Sequence, residues 1–301
     1  MNLQQLRCIR EIVRQDFNLT NAAHALFTSQ PAVSKTVMDF EVDMGFDVFI
    51  RHGKRIKGLT NEGERILPAV EKILQDLKDL RDIADETKNP NKGHLTIATT
   101  HTQARYALPR LIQIFRQEYP EVRLSLLQGT PAQITQMVLS NQADVAIATE
   151  GIVRTEGLTA TACYEWQHKI LLPLKHPLTK LKKITLAELA RYPLVTYDPA
   201  FAGRGKIDAA FTREGLQTDI VLEAIDADVI RTYVEVGLGV GIMAAIALDA
   251  MGDELAKKQL VAMDAGHLFG INTTYAAVKT DRYLKKYEQR FFDLLANLSF
   301  S

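Results

Sequence analysis

The feature that most constrains this sequence is the segment from Phe17 to Glu41, which has the pattern of two helices joined by a tight turn. Either Asn18 or Thr20 can cap the first helix. Ser29 can cap the second helix, because Pro31 then falls in the first turn, where a missing N–H costs nothing. The predicted buried stripes are Leu19, Ala22, Ala23 and Leu26 in the first helix, and Val33, Val37 and Phe40 in the second. The segment therefore predicts a helix-turn-helix with its turn at Phe27–Thr28.

Polar side chains remain at the N-terminal end of the second helix. In a helix-turn-helix this end of the second helix meets base edges and phosphates in the major groove. An αα-hairpin in an all-helical domain, with a solvated polar face, is the alternative interpretation. The candidate DNA contacts are Thr28, Ser29, Gln30, Pro31, Ser34 and Lys35, with Thr36 beside them.

A basic hairpin is predicted directly after this helix. Gly53 supplies the turn between two short extended runs, and Arg51, Lys54, Arg55 and Lys57 surround it with no acidic residue among them. Such a hairpin beside a recognition helix forms a wing that contacts phosphate or the minor groove. Residues 1–59 are therefore predicted to be a mainly α winged helix-turn-helix domain, with Arg51, Lys54 and Arg55 as further DNA contacts. A solvated loop is the alternative.

A long helix is predicted from Thr60 or Asn61 through residue 88. Apolar residues alternate steps of four and three along it, which is a heptad seam. Pro68 predicts a local kink or a late start. The small N-terminal domain offers no obvious partner for so long a seam, so residues 60–88 are expected to pair with a second copy and present two recognition helices to two half-sites. The seam consists of Ile66, Val70, Ile73, Leu77, Leu80 and Ala84, widened by Leu67 and Leu74.

Bulk properties narrow the class of protein. The 301 residues suggest two or three domains, and the 36 basic and 36 acidic residues balance, so basic character is local to the wing. The start MNLQQLRCIR lacks the apolar core of a signal peptide, and no run reaches transmembrane length. Two distant cysteines, Cys8 and Cys163, and seven scattered histidines predict neither a disulfide framework nor a metal site. A cytoplasmic protein is expected.

The chain beyond a polar linker at Glu86–Lys92 alternates strands and helices. This βαβαβ order predicts a parallel sheet with helices on its faces. It occurs twice, which predicts an α/β domain at 89–301 with one lobe at about 93–163 plus 268–301 and another at about 164–267. The predicted strands are 95–99, 122–128, 144–149, 169–173, 194–197 and 220–224, and the predicted helices are 103–119, 132–140, 207–214 and 227–236.

Two predicted strand ends carry groups that could hold a small anion. Thr99–Gln103 offers hydroxyls, an amide and free backbone N–H groups, and Thr149–Glu150 ends another strand. Capping and turn chemistry is the alternative role of these threonines. His101 is expected to be structural or gating, and Gly237–Gly241 is expected to be a tight turn between a helix and a short strand. No Walker, GxSxG or HExxH motif occurs, so nothing identifies an enzyme or a cofactor.

Seven motifs spread over the whole chain resemble the LysR-type transcriptional regulators. The resemblance implies an effector domain of the periplasmic-binding-protein type II kind, with a ligand cleft between its lobes. It also implies that Thr100, Thr102 and Gln103 line the anion end of the cleft, with Thr149 opposite and Trp166 at its border. The motifs are TSQPAVSK at 28–35, LTNEG at 59–63, ATTHTQARYALP at 98–109, QGTP at 128–131, IATE at 147–150, YPLVTY at 192–197 and DADVIRTYVEVGLGVGIMA at 226–244.

The motifs are most similar to the branch of this family that activates sulfur assimilation and cysteine biosynthesis. This resemblance implies homodimers or homotetramers on double-stranded promoter DNA, with N-acetylserine, O-acetylserine, sulfate or thiosulfate as the effector. RNA polymerase is a further candidate partner. A regulator of sulfonate or sulfate-starvation genes is the alternative within the family. A small-molecule-binding protein without a regulatory role is the alternative outside it.

One departure from the family pattern concerns the effector. The family's FTGR-like segment, whose threonine faces the ligand, reads Phe201-Ala202-Gly203-Arg204 in this chain. Loss of one hydrogen bond to a charged ligand costs about 1.5–3 kcal/mol unless water or a backbone N–H replaces it. Ala202 is therefore the position at which the effector of this chain is expected to differ.

Overall fold

The computed structural model describes residues 1–53 and 55–298, apart from the side chains of Glu150 and Ala202. The chain divides into two compact units, Met1–Lys88 and Asn89–Ser301. Among the described helices, none is both long enough and apolar enough to cross a membrane.

The first unit is a winged helix-turn-helix. Asn18 caps α2, since its side chain accepts hydrogen bonds from the N–H groups of Thr20 and Asn21, and Ser29 caps α3. The turn between them lies at Phe27, whose φ is +53°, so its predicted position is confirmed. The elements are α1 (Leu3–Arg14), α2 (Leu19–Ala25), α3 (Gln30–Met44), β1 (Phe49–His52), β2 (Arg55–Leu59) and α4 (Asn61–Lys88).

The core of this unit is built from three helices and the hairpin. The predicted stripe of α3 is confirmed, because Val33, Val37 and Phe40 are all buried. Helix α1, which the sequence analysis did not identify, contributes Leu6 and Ile9 to the same cluster. It therefore completes the hydrophobic core on which α2 and α3 pack.

The hairpin is tied to α3 through the buried carboxylate of Glu41. This carboxylate accepts hydrogen bonds from the N–H groups of Val48 (2.9 Å) and Phe49 (3.2 Å) and pairs with Arg51. Gly53 supplies the turn with φ of +63°, as predicted. These contacts make Glu41 the residue that sets where the hairpin stands beside α3.

Helix α4 corrects three expectations. It begins at Asn61 and runs without interruption through Pro68, so the predicted late start is wrong. It ends at Lys88, which shortens the predicted linker to Asn89–Asn91 before the next strand. Part of the seam also has a partner within the unit, since Val70 and the flanking Leu74 are buried in its core. The exposed apolar residues of the helix are Ile73, Leu80 and Ile83.

The second unit contains parallel strands covered by helices. Strands β3, β4 and β5 are parallel, and so are β7, β8 and β9, which confirms a parallel βαβ unit in each half. The predicted strand at 169–173 does not belong to a parallel set, because it pairs antiparallel with β9 and β10. The strand order is β4-β3-β5-β11-β6-β9-β7-β8, and β10 also pairs with β6. The strands are β3 (Lys92–Thr99), β4 (Glu121–Gln128), β5 (Val145–Thr149), β6 (Leu158–Pro173), β7 (Leu194–Tyr197), β8 (Ile220–Ala224), β9 (Val240–Ala244), β10 (Leu260–Asp264) and β11 (Ile271–Lys279).

The helices of this unit include one turn with π geometry, Gln103–Ala107, which leads into α5. The sequence predicted one continuous helix over both. Helix α8 begins five residues earlier than predicted, so its N-terminus reaches Ala202. The helices are α5 (Leu108–Glu118), α6 (Pro131–Leu139), α7 (Leu186–Leu189), α8 (Ala202–Arg213), α9 (Ala227–Glu235), α10 (Ala245–Asp249), α11 (Asp253–Lys257), α12 (Gly266–Phe269) and α13 (Lys286–Ala296), with short 3-10 turns at Glu150–Arg154 and Pro177–Lys180.

Strand β6 joins the two lobes. Its first part, Leu158–Gln167, pairs with β11, and its last part pairs with β9 and β10. The sequence analysis predicted only residues 169–173 of this strand, because the earlier part is polar and half-exposed. Its partner β11 is more than a hundred residues away in sequence, so no local pattern predicts the pairing.

Candidate functional site

The predicted DNA contacts of α3 lie on one exposed surface. Thr28, Ser29, Gln30, Pro31 and Lys35 are exposed, and Ser34 is half-buried beside them. A groove runs between this end of α3 and the hairpin, and its lining includes Gln30, Ser34, Lys35 and Gly53. The surface therefore presents polar groups and a cation where a recognition helix meets a major groove.

The basic residues of the hairpin differ in their partners. The guanidinium of Arg51 donates a hydrogen bond to Glu41 and so attaches the hairpin to α3. Arg51 also lines the groove. Arg55 and Lys57 are exposed and form no ion pair with any described residue. Lys54, the other predicted contact in the hairpin, lies outside the described residues.

A small cavity with a volume of about 40 Å³ lies within the second unit. Five of the six predicted effector residues line it, and the side chain of the sixth, Ala202, lies outside what the structure describes. Its backbone neighbours Phe201 and Gly203 form part of the wall. The lining residues are Thr100, Thr102, Gln103, Thr149, Trp166, Tyr197, Phe201, Gly203 and Ala244.

The topology explains why residues so distant in sequence meet at this cavity. Thr100 follows β3 and Thr149 ends β5, two parallel strands of the first lobe, and Tyr197 ends β7, which is parallel to β8 in the second lobe. The carboxyl ends of parallel strands share one edge of a sheet. Strand β6 places Trp166 between the lobes, so the cavity has walls from both.

Gln103 is held by buried hydrogen bonds on both sides of its amide. The hydroxyl of Tyr164 donates to its Oε1, and its Nε2 donates to Thr274 Oγ1 at 3.4 Å. Burial raises the pKa of Tyr164 above its ordinary value, so this hydroxyl remains a donor. Because its oxygen is occupied, Gln103 presents an N–H donor to the cavity rather than an acceptor.

The cavity wall offers neutral hydrogen-bonding groups and no charged side chain among its described lining residues. The indole N–H of Trp166 is buried and has no partner within residues 1–53 and 55–298. Burial raises the pKa of Tyr197 to about 12, so this phenol is also neutral at physiological pH. Helix α8 starts at the wall without a side-chain cap, which leaves N–H groups and the positive end of its dipole there. Such a site suits a small anion that is bound through neutral donors.

His168 and Asn272 form a buried layer behind Trp166 that the sequence analysis missed. Both are fully buried, and Asn272 Nδ2 lies 3.4 Å from His168 Nδ1. A Cβ at Gly203 would lie 3.0 Å from the Trp166 ring and 3.1 Å from His168 Nε2, so the absent side chain permits this close packing. No motif spacing indicates either residue, because they are brought together by the pairing of β6 with β11.

Burial of His168 predicts acid sensitivity of the second unit. Burial lowers the pKa of His168 to about 3, so the folded protein holds the ring neutral. In the unfolded chain the His168 ring takes up a proton near pH 6.5. The stability that depends on a neutral ring is therefore complete above that pH, and it falls by about 1.4 kcal/mol per pH unit as the pH drops toward 3. Urea unfolding can be monitored by the fluorescence of Trp166, the only tryptophan. Between pH 7.5 and 5, the free energy of unfolding of the wild type should fall by about 2 kcal/mol more than that of His168→Gln. Equal losses in the wild type and in His168→Gln would contradict this prediction.

His101 approaches two carboxylates that the sequence did not place near it. Ligand atoms of His101, Asp226 and Asp228 lie within 4.8 Å of one another. However, Asp226 caps α9 by accepting from the Val229 N–H, and Asp228 already accepts from Arg105 and Tyr106. The carboxylates are therefore engaged within the protein, and the cluster links the first lobe to the start of α9.

Comparison with known proteins gives the family. Residues 3–64 match the model for the bacterial regulatory helix-turn-helix protein of the lysR family, and residues 88–299 match the LysR substrate binding domain. The chain is 51% identical to the HTH-type transcriptional regulator CysB of Burkholderia cenocepacia over 98% of its own length and 93% of that protein. It is 44% identical to the HTH-type transcriptional regulator cbl of Escherichia coli, over 98% and 92%.

Solved structures agree with this result. The cofactor-binding domain of the Cbl transcriptional regulator superposes with a TM-score of 0.65 and 44% identity, covering 69% of this chain and 90% of that domain. Full-length OxyR from Pseudomonas aeruginosa has a TM-score of 0.73 over 99% of both chains, but at 20% identity it supports the fold alone. The proteins it matches are transcriptional regulators rather than enzymes. The chain therefore belongs to the LysR family of helix-turn-helix transcriptional regulators, whose members bind promoter DNA and small-molecule effectors as oligomers.

Proposed function

We propose that this chain regulates sulfur assimilation and cysteine biosynthesis in response to a small anionic effector bound between the two lobes. Relatives named CysB and Cbl, 51% and 44% identical over nearly the whole chain, support the sulfur role. The observation that carries the effector is the convergence of Thr100, Thr102, Gln103, Thr149 and Trp166 on one cavity. Regulation of sulfonate or sulfate-starvation genes is a second candidate, since the SsuR protein of Burkholderia cenocepacia is 47% identical.

The size and chemistry of the cavity favour a compact oxyanion. A volume of about 40 Å³ corresponds to roughly three water-sized groups. Sulfate or thiosulfate fits this space, whereas N-acetylserine or O-acetylserine requires the lobes to separate further. Effector binding that favours one separation of the lobes over another shifts the equilibrium between them, which is how occupancy can reach the DNA-binding surface.

The proposed DNA-binding surface consists of the N-terminal end of α3 and the adjacent hairpin. Thr28, Ser29, Gln30, Pro31, Ser34 and Lys35 contribute from α3, and Arg51, Lys54 and Arg55 from the hairpin. Self-association is proposed through the exposed apolar residues of α4 at Ile73, Leu80 and Ile83. A dimer formed there would present two such surfaces to a two-fold symmetric operator.

The experiment that tests this function is a titration of a labelled cysteine-biosynthesis promoter fragment, followed by fluorescence anisotropy at fixed salt. We expect specific binding that changes when sulfate, thiosulfate or N-acetylserine is added. Thr149→Val keeps the shape of the side chain and removes its hydroxyl, so it should weaken the effector response about tenfold or more while leaving effector-free DNA binding unchanged. Specific binding that ignores all three compounds would exclude them as effectors, with position 202 as the first place to examine.

Two cations are expected to contribute to DNA affinity without sequence preference. Lys35→Ala and Arg55→Ala should each weaken specific and non-specific binding together, and each should reduce the salt slope of the binding constant by about 1. Lys72→Ala is the matched control, because Lys72 is an exposed cation on α4 that pairs with Asp76. Unchanged affinity in both test variants would show that α3 and the hairpin do not form the DNA-binding surface.

A further inference from the structure

The π turn at Gln103–Ala107 contacts both the effector cavity and the second lobe. Gln103 begins the turn and lines the cavity. Three residues later, the ring of Tyr106 packs against the hydrophobic cluster of the second lobe that contains Leu171 and Val195. The turn follows β3 of the first lobe, so it connects the effector cavity to the opposite lobe within five residues.

One carboxylate of the second lobe contacts two polar side chains of this turn. Asp228, in the first turn of α9, accepts from the hydroxyl of Tyr106 at 2.9 Å through Oδ1. Its Oδ2 lies 2.6 Å from Arg105 Nε. The Arg105 guanidinium also lies 5.5 Å from the centre of the Tyr106 ring. The two side chains and the carboxylate therefore form a closed set of contacts between the lobes.

The geometry of the turn explains why it needs such a contact. A π turn contains one residue more per turn than the α-helix, is rare, and occurs mostly where function requires it. Among the described residues, Asp228 forms hydrogen bonds to two adjacent positions of this turn from outside the first lobe. Loss of these bonds would remove the second lobe's hold on the turn, and the position of Gln103 would then depend on its hydrogen bonds with Tyr164 and Thr274.

We propose that Asp228 is a positioning residue for the effector cavity. From the second lobe, its carboxylate holds the π turn that carries Gln103, so that effector binding and contact between the lobes strengthen each other. By reciprocity, an effector that requires Gln103 in this position also stabilises the Asp228 contact. The proposal rests on the proposed role of the cavity as the effector site.

The ion pair itself is partly exposed, since the side chains of Arg105 and Asp228 retain 56% and 27% of their accessible surface. Exposed pairs contribute little to global stability. A positioning role therefore predicts a loss of effector affinity without a matching loss of stability, whereas a merely structural role predicts the reverse.

The first test is a titration of Asp228→Ala with sulfate and with N-acetylserine, followed by Trp166 fluorescence in the full-length protein. We expect affinity to fall by about 5- to 30-fold, within the usual range of coupling between sites, with the urea midpoint nearly unchanged. Glu118→Ala is the matched control, because Glu118 forms a similarly exposed bidentate pair with Arg290 inside the first lobe. It should bind both compounds as the wild type does. Affinities within twofold of the wild type in Asp228→Ala would overturn the proposal.

The second test needs no effector. Amide hydrogen exchange across residues 103–107 should be faster in ligand-free Asp228→Ala than in the wild type, and unchanged in Glu118→Ala. Equal exchange in all three proteins would overturn the proposal. If the wild type binds neither compound, the effector assignment fails, while exchange still decides whether Asp228 holds the turn. If Asp228→Ala does not fold, Tyr106→Phe and Arg105→Gln each remove one of the two contacts and are judged by the same two measurements.

Discussion

Gly63→Ala should abolish specific DNA binding at protein concentrations that saturate the wild type. A Cβ at residue 63 would lie 2.2 Å from the carbonyl oxygen of Val48, a backbone atom that cannot rotate away. The same carbonyl accepts a hydrogen bond from the Thr60 N–H at 3.0 Å, and Thr60 Oγ1 accepts from the Gly63 N–H at 2.9 Å. The methyl group therefore pushes α4 away from the start of the hairpin, at a cost of about 3 kcal/mol, the upper part of the usual range for overpacking.

The measurement is urea unfolding followed by far-ultraviolet circular dichroism, together with the anisotropy titration on promoter DNA. Gly205→Ala is the matched control, because Gly205 lies within α8 and a Cβ there meets no atom within 4 Å. Helix propensity alone should stabilise that control by about 0.5–1 kcal/mol. A wild-type midpoint and wild-type DNA affinity in Gly63→Ala would mean that the contact between α4 and Val48 relaxes at no cost.

Arg282→Met should destabilise the second unit by about 3–5 kcal/mol, because it leaves the buried carboxylate of Glu288 without this cation. The Arg282 side chain is 5% exposed; it lies 2.5 Å from Glu288 and 3.3 Å from Asp144 Oδ1. It also donates to the backbone carbonyl of Asp144 at 3.1 Å. These contacts attach the start of α13 to the strand that carries Thr149, so the loss should also lower effector affinity.

Urea unfolding monitored by Trp166 fluorescence checks this value. Adding Glu288→Gln to Arg282→Met removes the uncompensated charge and should recover part of the lost stability. Glu118→Ala, which breaks the exposed pair with Arg290 on the other side of α13, should cost less than about 1 kcal/mol. A loss in Arg282→Met no larger than that of Glu118→Ala would show that the buried network does not stabilise the unit.

Local rules predicted the helix-turn-helix well. The caps at Asn18 and Ser29, the turn at Phe27 and the buried stripe of α3 depend on residues within a few positions of one another. Such features follow from hydrogen-bonding capacity and helical periodicity, which one sequence displays. Helix α1 was not predicted, although its buried residues Leu6, Ile9 and Ile12 have helical spacing.

The same local rules could not predict the pairing of segments that are distant in sequence. The two parallel βαβ arrangements could be predicted, yet the full length of β6 and its antiparallel pairing with β11 could not. Of the predicted heptad seam, Val70 is buried and Ile66 is partly buried in the core of the first unit, together with the flanking Leu74. A periodic apolar stripe predicts that a face is covered but not by what, because several partners satisfy the same burial.

Motifs and caps are local properties of the chain, so one sequence was enough to identify the family, the helix-turn-helix and the polar residues at the strand ends. The tertiary structure decided which of these groups are free to act. It committed Arg51 to Glu41, enclosed Thr100, Gln103, Thr149 and Trp166 around one cavity, and placed Asp228 against the π turn. The cavity and the Asp228 contact depend on strand pairing and lobe contacts across more than a hundred residues, where burial and the need to satisfy each polar group select one arrangement.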